Sequence, residues 1–137
     1  MTDKEEGRIA RLNAAAQDAV KHAQARYSHF RVGAALETEE GKVIIGSNVE
    51  SSSYGLTICA ERVALVKALS EGITRFSAIS IYAEKFDFCP PCGACRQLLY
   101  DYAPDLTIYL TNGKQYKTYR LKDLLPLAFD ESQLKAQ

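Results

Sequence analysis

Four cysteines constrain the fold of this chain more than any other feature. Three of them, Cys89, Cys92 and Cys95, form two overlapping C-x-x-C pairs in FCPPCGACRQ, and Cys59 lies 30 residues before Cys89 in TICAERVAL. Zinc prefers thiolate and imidazole ligands, and ligand pairs in tight turns are its usual sequence signature. Four thiolates would close a structural zinc site, whereas three would leave one coordination position for water. Either site requires a fold that brings two distant segments together.

The cysteines stand where two helices are predicted to begin. PPCGACRQLL places Cys92 and Cys95 three residues apart in an entry turn, where they share one helix face. ICAERVALVKALSEG has helical composition, with Cys59 at its start and Gly72 as its C-terminal stop. Glu61 follows Cys59 by two residues, and such side chains diverge by roughly 200 degrees in a regular helix. Both can face one metal ion only if Cys59 precedes the regular helix.

The remaining pattern predicts one α/β domain over residues 1–137. Apolar spacing predicts a first helix over about residues 4–25, and the stretch 31–50 predicts a hairpin around a turn at Glu39-Glu40-Gly41. Helices and strands then alternate. Helices are predicted over residues 58–72 and 93–103, with Pro104 just beyond the second, and a short helix in LKDLLPLAF begins at residue 121 and is ended by Pro126. Strands are predicted over 77–84, 106–110 and 116–120. This order predicts a mixed β-sheet covered by helices on both faces, a three-layer α/β/α arrangement in which helical crossovers join parallel strands.

Charge and composition restrict the partners that we expect. Lys plus Arg and Asp plus Glu number 17 each, so the net charge of zero argues against nucleic acid, whose partners usually carry a basic face. The acidic N-terminal stretch MTDKEE is unlike a secretory or transit peptide, and no stretch approaches the roughly 20 apolar residues of a membrane span. We therefore expect no membrane partner and a cytoplasmic location, where clustered cysteines are metal ligands more often than disulfides.

The cysteine segments together carry a family resemblance. Each feature alone has an ordinary explanation. A Glu in a first helical turn interacts favourably with the helix dipole, a Cys before a helix is commonly a small buried hydrophobe, and one C-x-x-C is a candidate redox pair. Together, NVESSSYGLTICAERVALVKA and PPCGACRQLL closely resemble the small homotetrameric zinc-dependent cytidine deaminases of pyrimidine salvage. The resemblance continues through YSHFRVGAALE, GKVIIGSNVE and LKDLLPLAF, and it includes the C-x-E and P-C-x-x-C signature of zinc deaminases.

The resemblance implies a metal site and a reaction. One zinc ion per chain would be held by Cys59, Cys92 and Cys95, and Glu61 would move protons in the hydrolytic deamination of cytidine and 2'-deoxycytidine. Cys89 would lie outside the site, because the family commonly has a different residue there and two prolines separate it from Cys92.

Charge counting adds one more residue to this expected site. Three thiolates around Zn²⁺ leave a net charge of −1, which would acidify water poorly. Two helix N-termini offset part of that charge. Arg62 is expected to offset the rest, because a guanidinium can hydrogen-bond thiolate sulfurs, and the resemblance implies the same role.

Several residues are candidates for nucleoside binding. Asn48 and Glu50 stand two apart on a predicted strand and so share one face, which suits the adjacent hydroxyls of a sugar. The resemblance implies that they hold the ribose, with Glu50 at the 3'-hydroxyl. It also places Phe30 against the pyrimidine and the backbone of Ala60 at the base edge.

Two aromatic residues suggest neighbouring subunits. Phe129 lies in a polar, acidic tail, where an exposed ring is unfavourable unless something covers it. The resemblance places Phe129 and Tyr54 at subunit boundaries of a homotetramer, in which the C-terminal Phe completes a neighbour's active site.

Three alternatives remain open from the sequence. A structural zinc module could use all four cysteines and bind a partner, although this leaves Glu61, Asn48 and Glu50 unexplained. A polynucleotide-editing deaminase usually has His in place of Cys59 and a basic surface. A deaminase of a related small molecule, such as a nucleoside antibiotic, would share the metal site, although N-V-E and S-S-S-Y favour cytidine.

Overall fold

A computed structural model describes residues 1–135 of the chain. Its helices are α1 (Asp3–Ala19), α2 (Ala60–Ser70), α3 (Gly93–Tyr102), α4 (Leu121–Leu124) and α5 (Glu131–Lys135). Its strands are β1 (Val32–Thr38), β2 (Val43–Ser47), β3 (Phe76–Ala83), β4 (Thr107–Thr111) and β5 (Tyr116–Arg120). None of the helices in this described part of the chain has the length and apolar character that a membrane span requires.

The five strands form one mixed sheet in the order β2-β1-β3-β4-β5. β1 pairs antiparallel with both β2 and β3, so β2 and β3 run in the same direction, and β3 pairs parallel with β4. β5 returns antiparallel to β4 at the other edge. The connections through α2 and α3 therefore both join strands of the same direction, as the order of predicted elements indicates.

Helices cover both faces of the sheet, which confirms the predicted three layers. Alternate residues of a strand point to opposite faces. On one face, α1 packs against the sheet through a small core formed by Ile9, Leu12, Ala16, Ala35, Ala78 and Tyr109. On the other face, α2 and α3 pack over a larger core that includes Leu36, Leu65, Ile79, Leu99, Ile108 and Leu121.

The first helix ends earlier than the sequence predicts. α1 stops at Ala19, a short 3₁₀ turn follows over Val20–His22, and the chain becomes extended at Ala23. The extended segment pairs with the chain beyond β2, because Gln24 N–H donates to Asn48 O at 2.8 Å and Glu50 N–H donates to Gln24 O at 3.0 Å. This tertiary pairing outweighs the helix propensity of the segment.

The C-terminal part also differs in detail from the prediction. The short helix predicted to end at Pro126 forms as α4, which ends at Leu124. α5 was not predicted, because its polar sequence has no apolar stripe to mark it.

Gly46 lets β2 approach the first turns of α2. A Cβ atom built at Gly46 would lie 2.5 Å from Ala60 O and 2.5 Å from Ala64 N, which are backbone atoms that cannot rotate away. The helix that begins beside Cys59 is therefore seated directly on the β1–β2 hairpin.

We expect Gly46→Ala to lower the free energy of unfolding by about 3 kcal/mol, because the added methyl group forces strand and helix backbones apart. Gly7→Ala is the matched control, since a Cβ there would meet only Arg11 Nη1, at 3.6 Å, in α1. That change should stabilise the protein by up to about 1 kcal/mol. Urea unfolding measures both effects, and equal midpoints for Gly46→Ala and the wild type would contradict the prediction.

Candidate metal centre and active site

Cys59 and Cys92 are the N-cap residues of α2 and α3. Both have extended backbones, with φ −69° and ψ 154° at Cys59 and φ −68° and ψ 169° at Cys92. Their carbonyls accept the first helical hydrogen bonds, from Val63 N–H at 3.0 Å and Arg96 N–H at 2.9 Å. Cys59 therefore precedes the regular helix, which is the condition under which Cys59 and Glu61 can face one metal ion.

The Sγ atoms of Cys59, Cys92 and Cys95 all lie within 4.8 Å of one another. Cys92 Sγ is 3.9 Å from Cys59 Sγ and 3.5 Å from Cys95 Sγ. Two thiolates in a tetrahedral zinc site with bonds of about 2.3 Å would be roughly 3.8 Å apart. The three thiols therefore fit a zinc ion, and they leave its fourth position to a ligand from outside this set.

Cys59 and Cys95 differ in how readily their thiols ionise. Hydrogen bonding from Cys95, with further help from Arg62, lowers the pKa of Cys59 to about 5. The same hydrogen bond to Cys59, together with burial, raises the pKa of Cys95. Cys59 is thus the thiol of this pair that ionises first, next to the N-terminus of α2 and the guanidinium group.

Arg62 lies against the Cys59 side of this cluster. Its Nη2 atom is 3.8 Å from Cys59 Sγ and donates to Thr57 O at 3.3 Å. The hydrogen bond to Cys59 raises the pKa of Arg62, so the guanidinium stays charged. Its Nε atom is buried and has no hydrogen-bond partner among the described residues.

Glu61 is buried in the first turn of α2, with 5% of its surface exposed. Burial, which removes the water that would solvate a carboxylate, raises the pKa of Glu61 to about 7, and the negative charge of Cys59 adds to this effect. A carboxyl group with a pKa near neutrality can both accept and donate a proton under physiological conditions. Ala60, between Cys59 and Glu61, is fully buried.

Cys89 lies outside the thiol cluster among the described residues. Its side chain is half-buried against the larger core, and burial is the main reason that its pKa is raised. Its Sγ atom contacts Pro90 O at 3.7 Å. The two prolines and the left-handed backbone of Phe88, with φ 55°, fix the path of the chain on either side of it.

Asn48 links the end of β2 to the segment that carries Phe30. Asn48 Nδ2 donates to Phe30 O at 2.8 Å, and Val32 N–H donates to Asn48 Oδ1 at 3.0 Å. Asn48 is buried, and Phe30 packs at the edge of the larger core. The amide group of Asn48 therefore holds the Phe30 backbone in place, and it retains one N–H for another partner.

Glu50 lines an open cleft of about 410 Å³ formed by Tyr27, Ser28, Glu50, Ser51, Tyr54 and Thr57. Hydrogen bonds from the hydroxyl and N–H groups of Ser28, and from Tyr27 N–H, hold the pKa of Glu50 below its usual range. The carboxylate is therefore an ionised acceptor at neutral pH.

The cleft and the metal centre are adjacent. Val49 and Ile58 exchange two backbone hydrogen bonds of 2.9 Å, which places Glu50 beside the segment leading to Cys59. Thr57 lines the cleft, and its carbonyl accepts from the same Arg62 group that contacts Cys59.

Tyr54 and Phe129, the two aromatic residues expected at subunit boundaries, lie in different places. Tyr54 is 77% exposed and packs edge-on against Tyr27, with ring centroids 6.4 Å apart. Phe129 is not among the residues that line this cleft; it is 56% exposed in another groove, beside α3, where its carbonyl accepts from Gln97 Nε2 at 2.8 Å.

Sequence reasoning missed four residues of the cleft: Tyr27, Ser28, Ser51 and Thr57. The signal for Ser28 is its place in YSHF, where a hydroxyl two residues before Phe30 can accept that residue's N–H in a local turn. No local signal marks its contact with Glu50, because the two residues are 22 positions apart.

Comparisons with known proteins agree with this geometry. Residues 8–111 match the cytidine and deoxycytidylate deaminase zinc-binding region. A cytidine deaminase from Halalkalibacterium halodurans is 49% identical over 105 residues, which cover 75% of this chain and 80% of that protein. A probable cytidine deaminase from Dictyostelium discoideum is 44% identical over 124 residues, which cover 90% of this chain and 84% of that protein.

Comparison with solved structures extends this result to the fold. The crystal structure of a cytidine deaminase from Burkholderia pseudomallei matches 94% of this chain and 100% of that one, with a TM-score of 0.83 and 44% identity. The family match over residues 8–111 and these relatives agree with the mixed sheet and the thiol cluster. The chain therefore belongs to the zinc-binding cytidine and deoxycytidylate deaminase family.

Proposed function

We propose that the protein catalyses the hydrolytic deamination of cytidine and 2'-deoxycytidine to uridine and 2'-deoxyuridine, with release of ammonia, and that it uses one zinc ion per chain. The observation that carries this proposal is the cluster of Cys59, Cys92 and Cys95 with Glu61 buried beside it at the start of α2. These thiolates would hold a zinc ion, which would act as a Lewis acid and lower the pKa of its bound water to near neutrality.

Glu61 moves the protons of the reaction. Its carboxylate accepts a proton from the attacking water and delivers it to N3 of the pyrimidine while the water oxygen bonds to C4. It then takes the proton of the new C4 hydroxyl group and passes it to the amino group, so that the C4=O bond forms as the C4–N bond breaks and ammonia leaves. The burial that raises the pKa of Glu61 to about 7 suits a group that both takes and gives a proton.

Arg62 balances the charge of the thiolates. Three thiolates exceed the charge of Zn²⁺ by one, and Arg62 Nη2 lies 3.8 Å from Cys59 Sγ. A hydrogen-bonded guanidinium draws electron density from the sulfur and so supports the acidity of the water.

The nucleoside binds across the cleft beside the metal centre. Glu50 accepts the 3'-hydroxyl of the sugar, and Asn48 uses its remaining N–H on the ribose. Phe30 packs against the pyrimidine, and the backbone of Ala60 meets the base edge. The anchoring of Phe30 and Glu50 to neighbouring backbone supports these roles.

A closed structural zinc site is less well supported by the geometry. Such a site needs a fourth thiolate, whereas the thiol cluster among residues 1–135 comprises Cys59, Cys92 and Cys95 without Cys89. We further infer that the chain acts as a single domain over residues 1–137 in the cytoplasm, with a free nucleoside rather than nucleic acid as its substrate.

We also propose a homotetramer in which Tyr54 and Phe129 contact neighbouring subunits and Phe129 completes a neighbour's active site. The exposure of both rings supports this assignment. In the described structure, Phe129 is absent from the cleft that contains Glu50.

The zinc content of cysteine variants tests the ligand set. We expect Cys89→Ala to retain one zinc ion per chain and wild-type turnover of cytidine, because its thiol lies outside the cluster. Cys95→Ala should lose both, because it removes the buried ligand. Metal analysis by mass spectrometry measures the zinc, and loss of zinc from Cys89→Ala would favour a four-thiolate structural site instead.

Glu61→Gln tests the proton transfer. We expect kcat for cytidine to fall by roughly 10²–10⁴-fold, because an amide of the same shape cannot accept the proton. The zinc content should not change. Glu71→Gln, at the exposed C-terminal end of α2, is the matched control and should keep wild-type kcat. Wild-type turnover by Glu61→Gln would contradict the role of Glu61.

Phe129→Ala tests the proposed assembly. We expect the wild-type protein to sediment as a tetramer. If Phe129 completes a neighbour's site, Phe129→Ala should raise KM for cytidine several-fold, since the lost ring removes a contact of roughly 1 kcal/mol or more. A monomeric wild-type enzyme with full activity would contradict both parts of the proposal.

A further inference from the structure

The carboxylate of Glu50 is held by three hydrogen-bond donors from one loop. Tyr27 N–H and Ser28 N–H donate to Glu50 Oε1 at 2.9 and 3.0 Å. The Ser28 hydroxyl donates to Glu50 Oε2. Each oxygen of the carboxylate is therefore tied to the loop, and its plane is fixed relative to the cleft.

Counting acceptor positions shows which atom remains available. An ionised carboxylate offers about four lone-pair positions, two on each oxygen. The two backbone N–H groups occupy both positions on Oε1, and the Ser28 hydroxyl occupies one on Oε2. One position on Oε2 is left, and it can accept one hydroxyl group from a ligand in the cleft.

The Ser28 hydroxyl is itself held in one orientation. Phe30 N–H donates to Ser28 Oγ at 3.0 Å, so the serine oxygen acts as an acceptor on that side and directs its own proton toward Glu50. The Ser28 hydroxyl therefore connects two parts of the proposed binding site: the carboxylate of Glu50, which is proposed to bind the sugar, and the backbone of Phe30, which is proposed to pack against the base.

The loop keeps its path through contacts that do not involve the Ser28 side chain. His29, between Ser28 and Phe30, has a left-handed backbone with φ 58°, and its N–H donates to Ala25 O at 2.8 Å. Glu50 N–H donates to Gln24 O at 3.0 Å. Removing the serine hydroxyl should therefore free Oε2 of Glu50 without unfolding the loop, while the two backbone N–H groups still hold Oε1.

We propose that Ser28 is a positioning residue for nucleoside recognition, which directs the one remaining acceptor position of Glu50 Oε2 at the 3'-hydroxyl of the sugar. This inference rests on the proposed function, because it takes Glu50 as the group that binds that hydroxyl. Ser28 does not touch the reacting atoms, so its effect is on substrate binding and not on the chemical step.

The test compares Ser28→Ala with the wild type on cytidine, 2'-deoxycytidine and 3'-deoxycytidine. We expect KM to rise roughly 10-fold for cytidine and 2'-deoxycytidine, because Ser28→Ala removes the hydrogen bond that orients the charged Oε2 atom of Glu50. For 3'-deoxycytidine, which has no 3'-hydroxyl, KM should change by less than about 2-fold. On every substrate kcat should stay within about 2-fold of the wild type, which is the pattern for loss of uniform binding.

Two control sets accompany the test. Ser70→Ala removes an exposed hydroxyl that donates to Lys67 O at the end of α2, and it should leave every constant unchanged. Ser28→Thr and Ser28→Val have nearly the same shape but differ in the hydroxyl, so Thr should restore the cytidine KM and Val should not. This pair decides the question if Ser28→Ala fails to fold.

The outcomes separate the inference from the proposed function. An active wild type with an equal KM increase on all three substrates would show a structural role for Ser28 and overturn the inference alone. If Ser28→Ala left KM unchanged for 2'-deoxycytidine and raised it for 3'-deoxycytidine, the assignment to the 3'-hydroxyl would be overturned. A zinc-loaded wild type that deaminates none of the three would refute the proposed function, and the inference with it.

Discussion

The convergence of two helix N-termini is the constraint on which the site depends. β2 and β3 run in the same direction, and each is followed by a helix on the same face of the sheet. α2 and α3 therefore both begin at the end of the sheet where the carboxyl ends of these strands lie. Cys59 and Cys92 occupy the N-cap positions. The positive ends of two helix dipoles therefore lie at the thiol cluster, where they offset part of the negative charge of a thiolate site. Cys95, one turn into α3, completes the donor set.

The sequence predicted these parts because their signals are local. The two-residue spacing of Cys59 and Glu61 requires an extended residue before a helix, and the backbone at Cys59 has that conformation. The mixed sheet and its crossovers followed from the order of helical and strand patterns. The predicted end of α1 was wrong, because the pairing of Gln24 with residues 48–50 is a long-range contact that helix propensity does not register. The contact of Ser28 with Glu50 could not be predicted for the same reason.

The cleft and the candidate metal centre are built from different kinds of structure. At the thiol cluster, helices hold side chains whose pKa values depend on burial, as at Glu61. In the cleft, a short loop meets the chain beyond β2, and polar groups hold one another by hydrogen bonds, as Asn48 does with Phe30. In the proposed function, this division places sugar recognition on loop residues and proton transfer on the helices, which hold side chains more precisely than loops do.

Arg62 combines a buried, unpartnered donor with a contact to the thiol cluster. A buried donor without a partner costs about 1–3 kcal/mol, and Arg62 Nε is such a donor in the described part of the chain. A smaller or apolar side chain would avoid that cost, yet it would leave the thiolates without a cation at a distance of 3.8 Å. The excess negative charge of three thiolates on a divalent ion would then oppose the ionisation of water at the same site. The unpartnered Nε atom therefore fits the proposed role of Arg62, in which the guanidinium offsets the charge of Cys59 at some cost to stability.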